Sequence, residues 1–359
     1  MAFFEFKNVR IAGIAAGVPK FVASNLHPLE DDGISSDYTP EAFVETTGVL
    51  ERHISDKLTT SDLCFMAAER LISDLRWEKT EIEALVFVSQ TADFILPATA
   101  CILQDRLGLS KECYAEDIAL GCSGWVYGLS AVVSLLTSGT IKKALLLAGD
   151  AKKRAKGPHD PLFGHAGTAT ALEYVEGGEG FKFHFGTDGS GYDAIIIPDG
   201  GSRNQVSRDS FEQEAVEGKK MHRLQTRMKG MDVFSFGIST APKSVKRLAD
   251  RFGFDYLDYD YFVFHQANMK MNNLIAKKLK LAPEKVPSCM YSFGNTSSAS
   301  IPLTIVARLK GRCEYGSKFI CCGFGVGLSW GTVAFTTSGM QISDLVEVDD
   351  NQIDHDHTV

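Results

Sequence analysis

Apolar positions along this chain form short continuous runs that alternate with longer stretches of helical period. Val9–Ala16 is a β-rich run closed by a Gly-Val-Pro turn. Ala84–Ser89 (ALVFVS) is apolar almost throughout, as a strand covered on both faces requires. Pro97 opens a predicted helix to Leu109, with proline in its favoured first turn. Ala115–Leu120 reads as a strand, Ser123–Thr137 as an apolar helix, and Lys143–Ala148 and Thr168–Val175 as strands. The theme then repeats. Phe181–Phe185 alternates like a strand, and Met231–Arg251 has the period of a long amphipathic helix. Tyr261–Phe264 is a predicted strand and Met269–Leu279 a helix. Ser298–Leu309 is a helix with Pro302 in its first turn, and Phe319–Gly323 and Ser329–Phe335 are the closing strands.

Each half therefore runs strand, helix, strand, helix around a central apolar helix, which predicts two similar α/β halves. The boundary falls near residues 176–186, giving units 1–180 and 181–340. The repeat is topological, without residue-level self-similarity. Two stretches break it. Gly200–Lys220 is polar and Gly-rich. The tail 341–359 carries Asp344, Glu347, Asp349, Asp350, Asp354 and Asp356 and is expected to be a solvated appendage.

Composition narrows the class. With 359 residues, 44% hydrophobic and 23% charged, the chain is an ordinary globular protein with room for sizeable cores. Its net charge of −8 argues against nucleic acid as a partner, which would need a basic face. No apolar run approaches the roughly 18 residues of a membrane span. The start, MAFFEFKNVRIAG, has no export-signal pattern, so a cytoplasmic location without membrane partners is expected. None of the eight cysteines has paired CxxC spacing with histidine, which predicts reduced, mostly buried thiols and no metal site.

One cysteine stands apart. Asp117-Ile-Ala-Leu-Gly-Cys-Ser-Gly-Trp125 runs from a predicted strand straight into a helix, with Gly121 and Gly124 freeing the backbone around Cys122. A thiol at a helix N-terminus meets partial positive charge and free N–H groups that favour the thiolate. His265, in Phe-Val-Phe-His-Gln-Ala-Asn, and Asn295, in Phe-Gly-Asn-Thr-Ser-Ser, also stand just before helices. Either alone is commonly a cap or a satisfied core residue. Three such junctions carrying Cys, His and Asn point to a site in the crevice where α/β folds place them.

Two chemistries use this set. In a papain-like hydrolase the His deprotonates the Cys and the Asn orients the His. The position of Cys122 far from the N-terminus and the missing first Cys of that motif exclude it. The other is acyl transfer with carbon–carbon bond formation. Cys holds an acyl thioester, and a His N–H with an Asn amide holds the enolate oxyanion left when a malonyl thioester loses CO₂.

These motifs resemble the β-ketoacyl-acyl-carrier-protein synthase III group of the thiolase fold. The matching strings are GCSG around Cys122, FHQAN around His265, GNTSSASIP around Asn295, the Gly-rich CCGFGVGLSWG of 321–331, and TTGVLERH of 46–53. The resemblance spans about Val9 to Phe335 and implies a layered α-β-α-β-α core. It implies Cys122 as the acylated nucleophile and His265 and Asn295 as enolate-binding residues. The N–H groups of Cys122 and Gly327 would form a second oxyanion hole. Leu96, Phe234, Asn268 and Gly325 fall at substrate-binding positions, Leu96 by reaching into a partner's acyl pocket in a homodimer. No cofactor is implied, only thioester substrates on CoA or on the phosphopantetheine of an acyl carrier protein.

The chain departs from the family where acetyl-CoA users clamp adenine. Ala42 and Thr46 stand in place of a Trp and an Arg, and PHDPLF (158–163) offers no phosphate-binding Arg. A carrier-bound donor, or CoA held in another way, is therefore expected. An acidic carrier protein needs a local basic patch, and Lys270, Lys277 and Lys278 supply one, with Lys152–Lys156 and Lys219–Lys229 as further runs. Two other functions compete: an acyltransferase that passes the acyl group to an amine or hydroxyl without decarboxylation, and a silent subunit that only shapes an acyl tunnel.

Overall fold

The computed structural model describes residues 1–27, 39–151, 160–216, 219–313 and 315–353. Its frame is two sheets. In the first, Val9–Pro19, Ala166–Tyr174, Lys143–Asp150, Ala84–Val88 and Tyr114–Ile118 lie side by side in that order. In the second the order is Ala2–Phe6, Phe181–Thr187, Ser329–Thr336, Lys318–Gly325, Tyr261–Phe264. Both sheets follow one rule. Antiparallel pairings lead to parallel ones. In the first sheet two precede the parallel pairings of Lys143–Asp150 with Ala84–Val88 and of Ala84–Val88 with Tyr114–Ile118. In the second three precede that of Lys318–Gly325 with Tyr261–Phe264.

Helices fill the layers between and outside the sheets. Gly124–Leu136 and Ser300–Leu309 touch strands of both sheets and form the middle layer. Both are buried along most of their length, which explains why neither shows a polar face in sequence. Thr60–Leu75 covers the outer face of the first sheet, and Gly230–Phe252 with Met269–Leu279 covers that of the second. The result is an α-β-α-β-α stack. Its central cluster joins Val88, Trp125, Val126, Phe183, Ile301 and Val333 across both sheets.

Tyr261–Phe264 and Met269–Leu279 match their sequence expectation to the residue. Three expectations need correction. The helix expected from Pro97 begins at Thr99, because the Asp117 carboxylate accepts the N–H groups of Thr99 and Ala100, both at 2.7 Å. An anion on the free N–H groups fixes that helix start.

The tail, through 353, is part of the fold and not a solvated appendage. Gln341–Ile342 and Val346–Val348 add in parallel to Val9–Pro19. Val348 and Ile353 bury against Leu58, Leu63 and Ala151, and the Asp350 carboxylate accepts a 2.7 Å hydrogen bond from Ser55. Asp344 pairs with Arg70 and Lys310. Asp344 and Asp350 thus find partners, while the alternation of Val346 and Val348 supplies the pairing strand. Asp354 and Asp356 lie outside the described residues.

The division at 180 is also crossed at the other end. Ala2–Phe6 pairs antiparallel with Phe181–Thr187 in the second sheet, with Phe3 stacked on His184 at 4.7 Å.

Candidate active site

Cys122 lies four residues beyond the end of Tyr114–Ile118 and directly before Ser123, the N-cap of helix Gly124–Leu136. The turn is tight: Gly124 donates its N–H to the Gly121 carbonyl at 2.6 Å, and a Cβ on Gly124 would come within 2.6 Å of Val88. The end of Lys318–Gly325 presses on the other side. A Cβ on Gly325 would lie 2.5 Å from Cβ and 2.7 Å from Sγ of Cys122, and one on Gly323 would reach the Cys122 carbonyl at 2.8 Å. The Ser123 hydroxyl is 2.7 Å from that of Ser329 in the neighbouring strand. Glycines at alternate positions of one strand thus leave room for the half-buried thiol.

His265 continues the parallel pairing of its strand, donating its N–H to the Cys322 carbonyl at 2.9 Å. The ring is buried, packs edge-on to Phe324 at 5.7 Å, and sets Nδ1 2.8 Å from the Ser300 hydroxyl. The backbone N–H of Gln266 donates to the same hydroxyl at 3.4 Å. Burial pushes the His265 pKa down to about 3, against a hydrogen bond with the Ser297 backbone that raises it. The imidazole is therefore neutral at physiological pH.

This has a consequence for stability. In the unfolded chain the ring titrates near its ordinary value of 6.5, whereas the folded ring does so near 3. Between those values the unfolded state binds more protons, so stability is full above pH 6.5 and falls as pH drops towards 3. Going from pH 7 to pH 5 should cost about 2 kcal/mol from this ring alone. His265→Asn should flatten the acid limb by that amount in denaturant unfolding at the two pH values. An unchanged limb would place the ring in contact with water.

Asn295 is held by its backbone and its own side chain. Its N–H donates to the Leu162 carbonyl at 2.9 Å, and its carbonyl accepts from Gly164 at 3.2 Å. Oδ1 accepts the Ser297 N–H at 2.9 Å, an assignment that leaves the NH₂ end for the cavity. Asn268 serves as the N-cap of Met269–Leu279, its side chain accepting the Met271 N–H at 2.8 Å.

Cys122, His265, Asn295, Asn268 and Gly325 line one cavity of 1140 Å³. Phe234, expected there, does not. Helix Gly230–Phe252 turns about 100° per residue. That turn gives Val233 to the cavity and Phe234 to the apolar cluster behind it. Gly327 sits two residues past the end of its strand, outside the lining, whereas Val326 is part of it. Leu96 is 84% exposed on the outer surface, next to Phe94 and Ile95, and outside the chain's own cavity.

Lys270, Lys277 and Lys278 are exposed on helix Met269–Leu279, with Lys278 donating to the Ile238 carbonyl at 2.9 Å. The Lys152–Lys156 run lies outside the described residues. Helix Pro40–Thr47 carries Ala42 and Thr46, neither in the lining.

The polar stretch that broke the repeat has a place here. Ile195–Ile196 pairs with Arg227–Met228, and described residues between them, Ile197, Phe211, His222, Leu224, Gln225 and Thr226, line the cavity as a cap. Sequence reasoning missed it because a cap with no core of its own shows no apolar period. The short β-branched run Ile195-Ile-Ile197 was the available signal.

Of the eight cysteines, Cys64, Cys289, Cys321 and Cys322 are buried, and all eight are without disulfides. Burial pushes the thiols of Cys289 and Cys322 up, to about 11 and about 12. No group of His, Cys, Asp and Glu among the described residues could hold a metal, and no described helix is long and apolar enough to cross a membrane.

Family models for 3-oxoacyl-[acyl-carrier-protein] synthase III match residues 116–189 and, for its C-terminal part, 249–337. The chain is 33% identical over 331 residues to a β-ketoacyl-[acyl-carrier-protein] synthase III of Desulfitobacterium hafniense, covering 90% of this chain and 96% of that one. It is 31% identical over 351 residues to a putative 3-oxoacyl-[acyl-carrier-protein] synthase 3 of Campylobacter jejuni, covering 95% and 98%. A solved 3-oxoacyl-(acyl-carrier protein) synthase from Burkholderia xenovorans superposes with a TM-score of 0.88 at 38% identity, covering 97% and 99%.

Proposed function

Because this chain belongs to the β-ketoacyl-[acyl-carrier-protein] synthase III family and has its thiolase-like fold, we propose that it joins a Cys122-bound acyl group to malonyl carrier protein with loss of CO₂. The observation that carries this reading is the single cavity onto which Cys122, a neutral His265 and Asn295 all open.

In the first half-reaction the Cys122 thiolate attacks the donor thioester carbonyl. The donor's thiol leaves, and the acyl group remains on sulfur. We assign the N–H groups of Cys122 and Gly327 to the tetrahedral oxyanion, as the family resemblance implies.

In the second, the malonyl carboxylate departs as CO₂ and its electron pair forms the enolate. The enolate carbon attacks the Cys122 thioester, and the sulfur leaves to give a β-ketoacyl carrier protein. His265 and the Asn295 amide hold the enolate oxyanion. A Ser300 hydroxyl that donates to Nδ1 leaves the ring proton on Nε2, the tautomer such a donor requires. A neutral N–H suits this role, since an imidazolium would protonate the carbanion.

We further assign Asn268 and Gly325 to the substrate channel, and Lys270, Lys277 and Lys278 to docking of an acidic carrier protein. Exposed Leu96 fits a C2 homodimer in which it reaches the partner's pocket. The missing adenine clamp at Ala42 and Thr46 favours donors on carrier protein over CoA.

The test is to mix the protein with an acyl-carrier-protein panel and malonyl carrier protein, and to follow CO₂ and β-ketoacyl product together. One CO₂ per product is expected. A Cys122 adduct that forms and transfers to an added amine or hydroxyl without CO₂ would establish the simple acyltransferase instead.

A further inference from the structure

The apolar strand Lys143–Asp150 ends in a carboxylate that is only 3% exposed. Taking a carboxylate out of water is costly unless hydrogen bonds replace the water. Asp150 has such bonds on both oxygens. Oδ1 accepts the Ser89 hydroxyl at 3.1 Å, the Gln90 N–H at 2.8 Å and the Thr91 hydroxyl at 3.2 Å. Oδ2 accepts the N–H and the hydroxyl of Ser298, at 3.4 and 3.2 Å. Each oxygen thus holds one segment of chain. The first is Ser89–Thr91, directly after strand Ala84–Val88, and the second is the turn that follows Asn295.

Both segments reach the reacting groups. A Cβ on Gly121, the residue before Cys122, would come within 2.1 Å of Gln90 Oε1 and 3.1 Å of the Ser297 hydroxyl. The turn carries Asn295, whose Oδ1 accepts the Ser297 N–H at 2.9 Å, and the Ser297 backbone is hydrogen-bonded with the His265 ring. Ser297 has a φ of 52°, in the left-handed region that a residue with a Cβ seldom adopts, so its neighbours must hold the turn in place. Gln90, Thr91, Asn295 and Ser297 line the cavity, whereas Asp150 stands behind them, outside the lining. Asp150 therefore acts only through the groups it holds.

We propose that Asp150 is a positioning residue for decarboxylation. It anchors the Asn295 turn to the Gln90 segment, so that the Asn295 amide faces the enolate formed beside Cys122. This rests on the condensation reading above, in which Asn295 holds that enolate.

Asp150→Asn pulls the two anchors apart. An amide has one acceptor oxygen and one NH₂ end, while each segment presents a backbone N–H that cannot rotate away. The oxygen keeps the shorter contact, that with Gln90, and the NH₂ end is turned on the Ser298 N–H. The Gln90 side next to Cys122 then stays in place and the Asn295 turn is pushed outward. Stabilisation of an oxyanion depends steeply on such placement.

The experiment uses the full chain and measures two steps separately: acylation of Cys122 by the acyl-carrier-protein panel, read by intact mass, and CO₂ release from malonyl carrier protein by the acylated protein. Asp150→Asn should leave the acylation rate within about twofold of wild type and lower kcat for CO₂ release at least about tenfold, with KM for malonyl carrier protein within about twofold. In the Asn295→Ala background the same substitution should cost less than about threefold, because the amide it positions is gone. Ser298→Ala removes one donor and leaves the carboxylate and the backbone bond. It should lower CO₂ release by about threefold and also lose its effect in the Asn295→Ala background, and it carries the test should Asp150→Asn fail to fold. Equal losses in both steps, an undiminished cost in the Asn295→Ala background, or unchanged CO₂ release overturns the proposal and leaves the condensation reading standing. Acylated wild-type protein that releases no CO₂, or an Asn295→Ala variant that releases it at the wild-type rate, instead overturns the condensation reading, and the proposal with it.

Discussion

Cys122→Ala is expected to abolish covalent acylation altogether, a loss limited only by the detection floor of intact-mass measurement. The reason is that the other thiols are badly placed to substitute. Cys321 and Cys322 sit in the neighbouring strand, but both are buried and burial pushes their thiols up, that of Cys322 to about 12. A thiol so rarely ionised is a poor nucleophile. Cys64 and Cys289 are also buried. Cys101 is exposed, but it lies outside the cavity lining, with no glycine-flanked turn around it. Among the described cysteines, Cys122 alone combines a cavity position with the start of a helix, the setting expected of an acylated nucleophile. Peptide mapping of the wild-type adduct should therefore give Cys122. An adduct that survives in Cys122→Ala at the wild-type rate, or that maps to Cys321 or Cys322, contradicts the mechanism.

Cys122 and His265 were legible because each follows a strand-like run and precedes a helical period. Asn295, which the structure sets after the short helix Met290–Phe293, was legible only from its place after a glycine and before a helix. Phe262-Val-Phe-His265 shows the first case: the run can only be a buried strand, and the chain must turn where it becomes polar. What stayed hidden depended on contacts distant in sequence or on side-chain direction. The carboxylate of Asp117 that sets the start of the Thr99 helix comes from the next strand. The pairing of Val346–Val348 with Val9–Pro19 joins opposite ends of the chain, and six acidic side chains in the tail masked a two-residue apolar alternation. The exchange of Phe234 for Val233 in the cavity lining turns on one residue of helix rotation. The cap shows the same limit from another side. Its apolar residues serve the cavity and not a core, so apart from Ile195–Ile197 they occur singly within polar sequence.

His265→Ala and Asn295→Ala should separate the two half-reactions. Neither side chain is part of the nucleophilic turn, so both variants should still accept an acyl group on Cys122. Decarboxylation of malonyl carrier protein should fall by about 10²–10³-fold in each, as in other oxyanion holes that lose one donor, or about 3–4 kcal/mol of transition-state stabilisation. The loss should appear in kcat and not in KM, since a donor aimed at an oxyanion that develops only during the reaction adds little to ground-state binding. Because both donors serve one oxygen, the double variant should lose less than the sum of the two free energies. The folded ring titrates near pH 3, so the wild-type decarboxylation rate should show no acid limb from His265 between pH 5 and pH 8. Asn295→Asp offers the sharper contrast. A carboxylate in place of the amide removes the donor and adds a negative charge beside the enolate, so its rate should lie below that of Asn295→Ala. Unimpaired CO₂ release in both alanine variants would mean that the pair binds no enolate, leaving Cys122 as the nucleophile of a simple acyl transfer.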